Sequence, residues 1–175
     1  DLRAGKTPSP GELAALIITR RAPAVALDLP WPWGGERFEL AVLQPLTWLV
    51  GPLGSGKTRL AIALAQAIPG ARFLGLDREA PAEVSPPVEA ALDWLVGEGA
   101  TLSDAMVALM SHLAADDAIR IVDLVEQGLD QTTQEALAAW LRRRPSGASP
   151  LFMMTRSSAM LDREAVGADE TLHLC

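Results

Sequence analysis

The sequence predicts an α/β fold, with a mainly parallel sheet flanked by helices and an antiparallel hairpin near its start. Three observations lead there. Short apolar, strand-like runs alternate with longer helical stretches along most of the chain, which is the pattern of a sheet covered by helices. A glycine-rich loop, Gly51-Pro52-Leu53-Gly54-Ser55-Gly56-Lys57-Thr58, stands directly between a strand-like run and a strong helix former. Upstream of it, two strand-like runs are separated by Pro30, Pro32 and the Gly34-Gly35 pair, as in a hairpin. The 175 residues suit one domain, 1–175, divided into an N-terminal helix in 1–22, a hairpin and strand in 25–50, and a core in 51–175.

Taken in order, Ser9-Pro10-Gly11-Glu12 has the form of a capping box with Pro at the first helical position, and predicts a helix from Pro10 to about Arg20, closed by Pro23. Val25–Leu29 and Glu36–Leu43 form the hairpin, and Leu46–Val50 is the strand entering the glycine loop. A helix over Arg59–Ile68 stops at Pro69-Gly70. Phe73–Leu76 reads as a strand and the Pro-rich 80–87 as a surface connection. Helices follow over Val88–Val96 and Leu102–Ala115, the second capped by Ser103 or Thr101. Ile119–Val125 is a strand, and Thr132-x-x-Glu135 reads as a capping box for a helix running to Arg144. Leu151–Thr155 and Thr171–Leu174 are the last strands, with a short helix over Ser158–Asp162 between them.

Composition narrows the function classes. Apolar residues make up 49% and charged residues 21%, the balance of a globular chain and not a disordered one. Fifteen Lys and Arg against 22 Asp and Glu give a net charge of -7, which disfavours direct nucleic-acid binding. The single cysteine, Cys175, excludes a disulfide framework and fits a reducing compartment. No apolar run is long enough to span a bilayer, and Asp1 opens no secretory leader, so a soluble cytoplasmic protein is expected. A start at Asp1 and an end just after an apolar stretch suggest a chain trimmed at both ends.

Gly51-x4-Gly56-Lys57-Thr58 is a complete Walker A pattern in its required strand-and-helix context. Glycines allow successive N–H groups to turn inward around phosphate oxygens, and the following helix adds its positive end. Lys57 is placed to reach the β and γ phosphates, and the Thr58 hydroxyl to ligate Mg²⁺. ATP with Mg²⁺ is the expected ligand, with Gly51, Pro52, Leu53, Gly54, Ser55, Gly56, Lys57, Thr58 and Arg59 as its candidate contacts. A carboxylate at the end of a neighbouring strand completes such a site, and Asp123, closing Ile119-Arg120-Ile121-Val122, is the candidate.

With Asp123 followed by Leu129-Asp130, the sequence resembles the ABC-type ATPases and the related ATPase heads of chromosome-maintenance and DNA-repair proteins. The resemblance runs from about Val25 to the end. It implies a Walker B role for Asp123, a D-loop role for Asp130 at a dimer interface, and a signature-like place for Leu102-Ser103. The sequence also departs from the family. Leu124 stands where the family carries the Glu that polarises the attacking water, and a leucine neither accepts a proton nor orients water. Arg156 replaces the switch histidine with a fixed positive charge. The stretch between Lys57 and Asp123 is too short for the usual helical subdomain with its Gln-containing loop, which disfavours docking onto a transporter's membrane subunit. Glu126 is the one nearby carboxylate able to replace the missing base, or else a solvated loop acid; Arg156 is either a γ-phosphate contact or a surface arginine.

Weaker features have plainer readings. Trp31, Trp33 and Phe38 lie where the family stacks an aromatic on adenine; Trp33 is preferred, and packing is the competing use. Arg142-Arg143-Arg144 ends a helix, where positive charge complements the dipole. His112 and His173 are isolated and have no second ligand at metal spacing. Two functions follow: a weak or partner-dependent ATPase that assembles head to tail through its Ser103 and Asp130 surfaces, or a non-hydrolysing nucleotide-binding partner subunit, favoured by Leu124. A small P-loop kinase is a third reading, and the arginine run is already explained without it.

Overall fold

The computed structural model describes residues 24–29, 34–161, 167 and 170–174. The expected helix in 1–22, Trp31, Trp33 and Cys175 lie outside the described residues. The elements are β1 (Val25–Asp28), β2 (Arg37–Leu40), β3 (Leu46–Val50), α1 (Lys57–Ala67), β4 (Arg72–Leu74), α2 (Pro86–Gly97), α3 (Asp104–Leu113), β5 (Arg120–Val122), α4 (Gln131–Arg142), β6 (Leu151–Thr155) and β7 (Glu170–Leu174). β1 and β2 form the expected antiparallel hairpin, with Val25 opposite Leu40. The other five strands make one sheet in the order β4-β5-β6-β3-β7, parallel at every pairing.

Successive residues on a strand point to opposite faces, and the sheet builds a core on each. Trp48, Val122, Leu151 and Met153 pack on one face against α2, α3 and α4, through Leu92, Leu95, Met106, Met110, Leu137 and Leu141. Leu49, Ile121, Phe152 and Met154 face the other way, against Leu60, Ala61 and Leu64 of α1 and Val25 and Leu40 of the hairpin. The Met153-Met154 pair thus serves both cores.

Three local expectations change. The cap of α4 is Asp130, whose carboxylate accepts from Thr133 N at 2.8 Å; Glu135 instead accepts from Gln131 Nε2 on the exposed surface. The strand ending at Asp123 is shorter than its apolar run, because Leu124 takes φ +43° and turns the chain out of the sheet. Residues 158–160 form a turn and not a helix, and Asp162 lies outside the described residues.

The basic run at the end of α4 is occupied by the fold. Arg142 pairs with Glu170 at 3.2 Å, the same carboxylate that accepts from Trp48 Nε1, and so ties α4 to β7. The Arg143 guanidinium lies 4.5 Å from the centroid of the Trp94 ring. Arg144 donates to the carbonyls of Pro45 and Ser149.

Candidate nucleotide-binding site

In a parallel sheet, the loops that leave the carboxyl ends of the strands share one edge, and this is where α/β proteins bind ligands. Here β3, β6 and β5 are in register, with Val50 beside Thr155 and Val122 beside Met153. The glycine loop, Asp123 and Arg156 therefore emerge side by side.

The loop 51–56 turns sharply enough to need left-handed backbone at Gly54 (φ 83°) and Gly56 (φ 89°), conformations that side chains with a Cβ resist. Gly56 caps α1 with no side-chain hydrogen bond, and the first turn of α1 carries no acidic residue. By contrast α3 and α4 are capped by the side chains of Ser103 and Asp130. The positive end of α1 is left to the loop. Lys57 is 7% exposed and its Nζ crosses that loop, donating to the carbonyls of Gly51 and Pro52, both at 2.7 Å, and to Ser55 Oγ at 3.2 Å.

Next to it, Thr58 Oγ1 donates to Asp123 Oδ2 at 2.7 Å, bridging α1 and the end of β5. Asp123 is 5% exposed, and its backbone N–H donates to Leu74 O at 2.9 Å. Mg²⁺ takes a few protein oxygens and completes its octahedron with water and phosphate. The Thr58 hydroxyl and the Asp123 carboxylate, in contact beside the glycine loop, fit that requirement. No cluster of three or more His, Cys, Asp or Glu suited to a metal occurs among the described residues.

A cleft of about 290 Å³ opens at this point, lined among others by Gly54, Lys57, Thr58, Asp123, Leu124 and Arg156. Leu53 and Arg59 also border it, and Leu53 is 84% exposed. Glu126 stands outside that lining. Its Oε1 accepts from the backbone N–H of Arg156 at 3.0 Å, while its Oε2 is buried without a hydrogen-bond partner. Beyond Asp123 itself, the turn presents Leu124 to the cleft and no second carboxylate. Phe38, the alternative aromatic, meets His173 edge to face, with ring centroids 5.6 Å apart.

Sequence reading missed Arg78, which sits between β4 and the Pro-rich stretch 80–87. Its Nη2 donates to Leu124 O at 2.9 Å and to Gln127 Oε1 at 3.0 Å. Burial holds the Arg78 guanidinium below its ordinary pKa, against the opposing pull of Asp123 and Glu126. No motif marks this arginine; only the pairing of β4 with β5 brings it to the Asp123 turn.

The segment that enters α3 meets the start of α4 at Thr101. Ser103 accepts from Met106 N at 3.3 Å, and Thr101 N donates to Thr133 Oγ1 at 2.9 Å in the first turn of α4. Asp130 is held below the usual carboxylate range by the Thr133 backbone N–H and by the Thr101 and Thr133 hydroxyls. Leu102, next to the Ser103 cap in sequence, is 61% exposed.

Among solved structures, the chain is similar to a bacterial Atm1-family ABC exporter with ATP bound, at 16% identity and a TM-score of 0.53 over 73% of this chain. It is equally similar to an ABC transporter ATP-binding protein from Pyrococcus furiosus, at 15% identity and a TM-score of 0.53 over 79% of this chain. The fold is that of the ABC-transporter ATP-binding domains. The chain spans 32% of the exporter and 88% of the Pyrococcus protein. No family model matches the sequence, and no curated protein does. In this chain β6 lies between the strand that enters the glycine loop and the strand that leads to Asp123. Among the described residues no helix is long and apolar enough to cross a membrane.

Proposed function

We propose that this chain is a cytoplasmic Mg²⁺-ATP-binding domain that works as an ATP-dependent assembly switch. The observation that carries the reading is the Thr58–Asp123 contact at 2.7 Å beside Lys57 and the glycine loop, since it joins the phosphate cradle to a magnesium-binding oxygen pair. Residues Gly51 to Arg59 would hold the phosphates, with Thr58 and Asp123 on the metal, which neutralises phosphate charge when bound. Arg156, on the lip of the cleft, is placed to add positive charge near a terminal phosphate. The contact of Thr101 with Thr133 and Asp130 at the start of α4, with the adjoining Leu102 exposed, supports a head-to-tail arrangement with a second copy, in which the Ser103 surface of one subunit covers the nucleotide held by the other.

A second reading has its own support. Leu124 faces the cleft and Glu126 is engaged with Arg156 N, so no carboxylate other than Asp123 lines the cleft to activate water. This favours a nucleotide-binding partner subunit that does not hydrolyse ATP. Steady-state Mg²⁺-ATP hydrolysis across a range of protein concentrations separates the two, with Lys57→Ala as the blank. Turnover that rises faster than linearly with concentration supports a dimeric ATPase. Absent turnover with ATP bound supports the partner subunit, and Leu124→Glu is then expected to raise the rate.

A further inference from the structure

Leu124 is the only non-glycine residue with positive φ among the described residues, and it occupies the turn that immediately follows Asp123. A branched side chain in left-handed backbone is disfavoured, so the surrounding contacts must hold it there. Three hydrogen bonds do so. Gln127 N donates to Leu124 O at 3.0 Å, Val125 N donates to Met154 O at 3.0 Å, and Arg78 Nη2 donates to Leu124 O at 2.9 Å. The first closes the turn itself, and the second is a backbone contact that ties it to β6. Arg78 is the one side chain among the three and the one charged donor, which makes its bond the strongest of them. The same guanidinium also holds Gln127 Oε1, so it clasps the turn at both ends. Its remaining Nη1 is buried without a partner beside the charges of Asp123 and Glu126.

We infer that Arg78 is a positioning residue of the nucleotide site: it clamps the strained Leu124–Gln127 turn, and through that turn fixes Asp123 against Thr58 and Leu124 against the cleft. The inference rests on the ATP-binding reading for its consequence, but the clamp itself is measurable without nucleotide. Removing the guanidinium frees Leu124 to relax toward negative φ, which rotates the backbone next to Asp123. A glycine at position 124 tolerates φ +43° by itself, so it should keep the turn in place without the clamp.

The experiment is amide hydrogen exchange by NMR on the wild-type chain, Arg78→Ala, Arg78→Lys, Leu124→Gly and the double variant, followed by calorimetric titration with Mg²⁺-ATP. In Arg78→Ala, exchange at Val125 and Gln127 should rise about 10- to 100-fold, the range expected for losing a charged hydrogen bond, while Trp48 and Phe152 in the sheet centre remain protected. Arg78→Lys, with a single point donor, should fall between. Adding Leu124→Gly to Arg78→Ala should restore protection, and ATP affinity should follow the same order. Unchanged exchange at Val125 and Gln127 in Arg78→Ala would overturn the inference, as would a double variant no better protected than Arg78→Ala. Should Arg78→Ala lose protection across the sheet as well, Arg78→Lys decides by the same two amides. A wild-type chain that binds no ATP would overturn the proposed function, and the exchange data would still decide the clamp.

Discussion

Replacing Gly128 with alanine tests the joint between the Asp123–Asp130 segment and α3. Gly128 has φ +76°, and a Cβ built there would lie 2.8 Å from the Cβ of Ala105, in the first turn of α3. Two penalties follow. An L-residue in left-handed backbone costs roughly 1–2 kcal/mol. A carbon held about 1 Å inside ordinary van der Waals contact forces backbone movement and costs roughly 1–3 kcal/mol more. Gly70 separates the two, because its φ is +78° but a Cβ there meets nothing within 4 Å. Urea unfolding of Gly128→Ala and Gly70→Ala should therefore show Gly128→Ala less stable by about 1–3 kcal/mol, with similar denaturant slopes. Equal losses for the two would refute the close packing of this segment on α3.

Two further outcomes are expected. Burial pushes the His173 imidazole below its ordinary value of 6.5, and His112 is lowered by burial and by Arg120 and Arg78, so between those depressed values and 6.5 the unfolded chain binds more protons than the folded one. Stability is then fully present above pH 6.5 and falls as the pH drops through the folded values; thermal melts from pH 7.5 to 5.5 should show it, with a shallower fall in His173→Phe, and an unaltered slope in that variant would count against the burial of this ring. Asp130→Ala removes the acceptor for Thr133 N and the Thr101 hydroxyl and should lower the melting temperature by a few degrees, whereas Asp130→Asn keeps most of the cap, so an equal loss in both would point to charge and not capping.

The legible parts of this fold are those whose cause is local. Gly51–Thr58 carries its own backbone requirement and its own lysine, and the hairpin is marked by Gly34-Gly35 between two strand-like runs. The parallel sheet followed from alternation, and its order from no local signal. The apolar pattern extends past the true end of β5, since Val125 is as apolar as Val122 and the positive φ of Leu124 separates them. The cap of α4 was misassigned because Thr132-x-x-Glu135 has the right spacing, while Asp130 wins with a carboxylate against Thr133 N. Arg78 was invisible for a different reason: its partners, Leu124 O and Gln127, are distant in sequence and joined to it only through the pairing of β4 with β5.

The central claim is that the loop, Thr58 and Asp123 form one Mg²⁺-ATP site. Isothermal titration of the wild-type chain, Lys57→Ala and Asp123→Ala with ATP, with and without Mg²⁺, tests it most directly. The expected result is saturable binding by the wild type that strengthens with Mg²⁺, an affinity loss on the order of 100-fold in Lys57→Ala from its missing charged contacts, and loss of the Mg²⁺ enhancement in Asp123→Ala. Binding of equal strength in the wild type and Lys57→Ala, or no binding by the wild type, would contradict it.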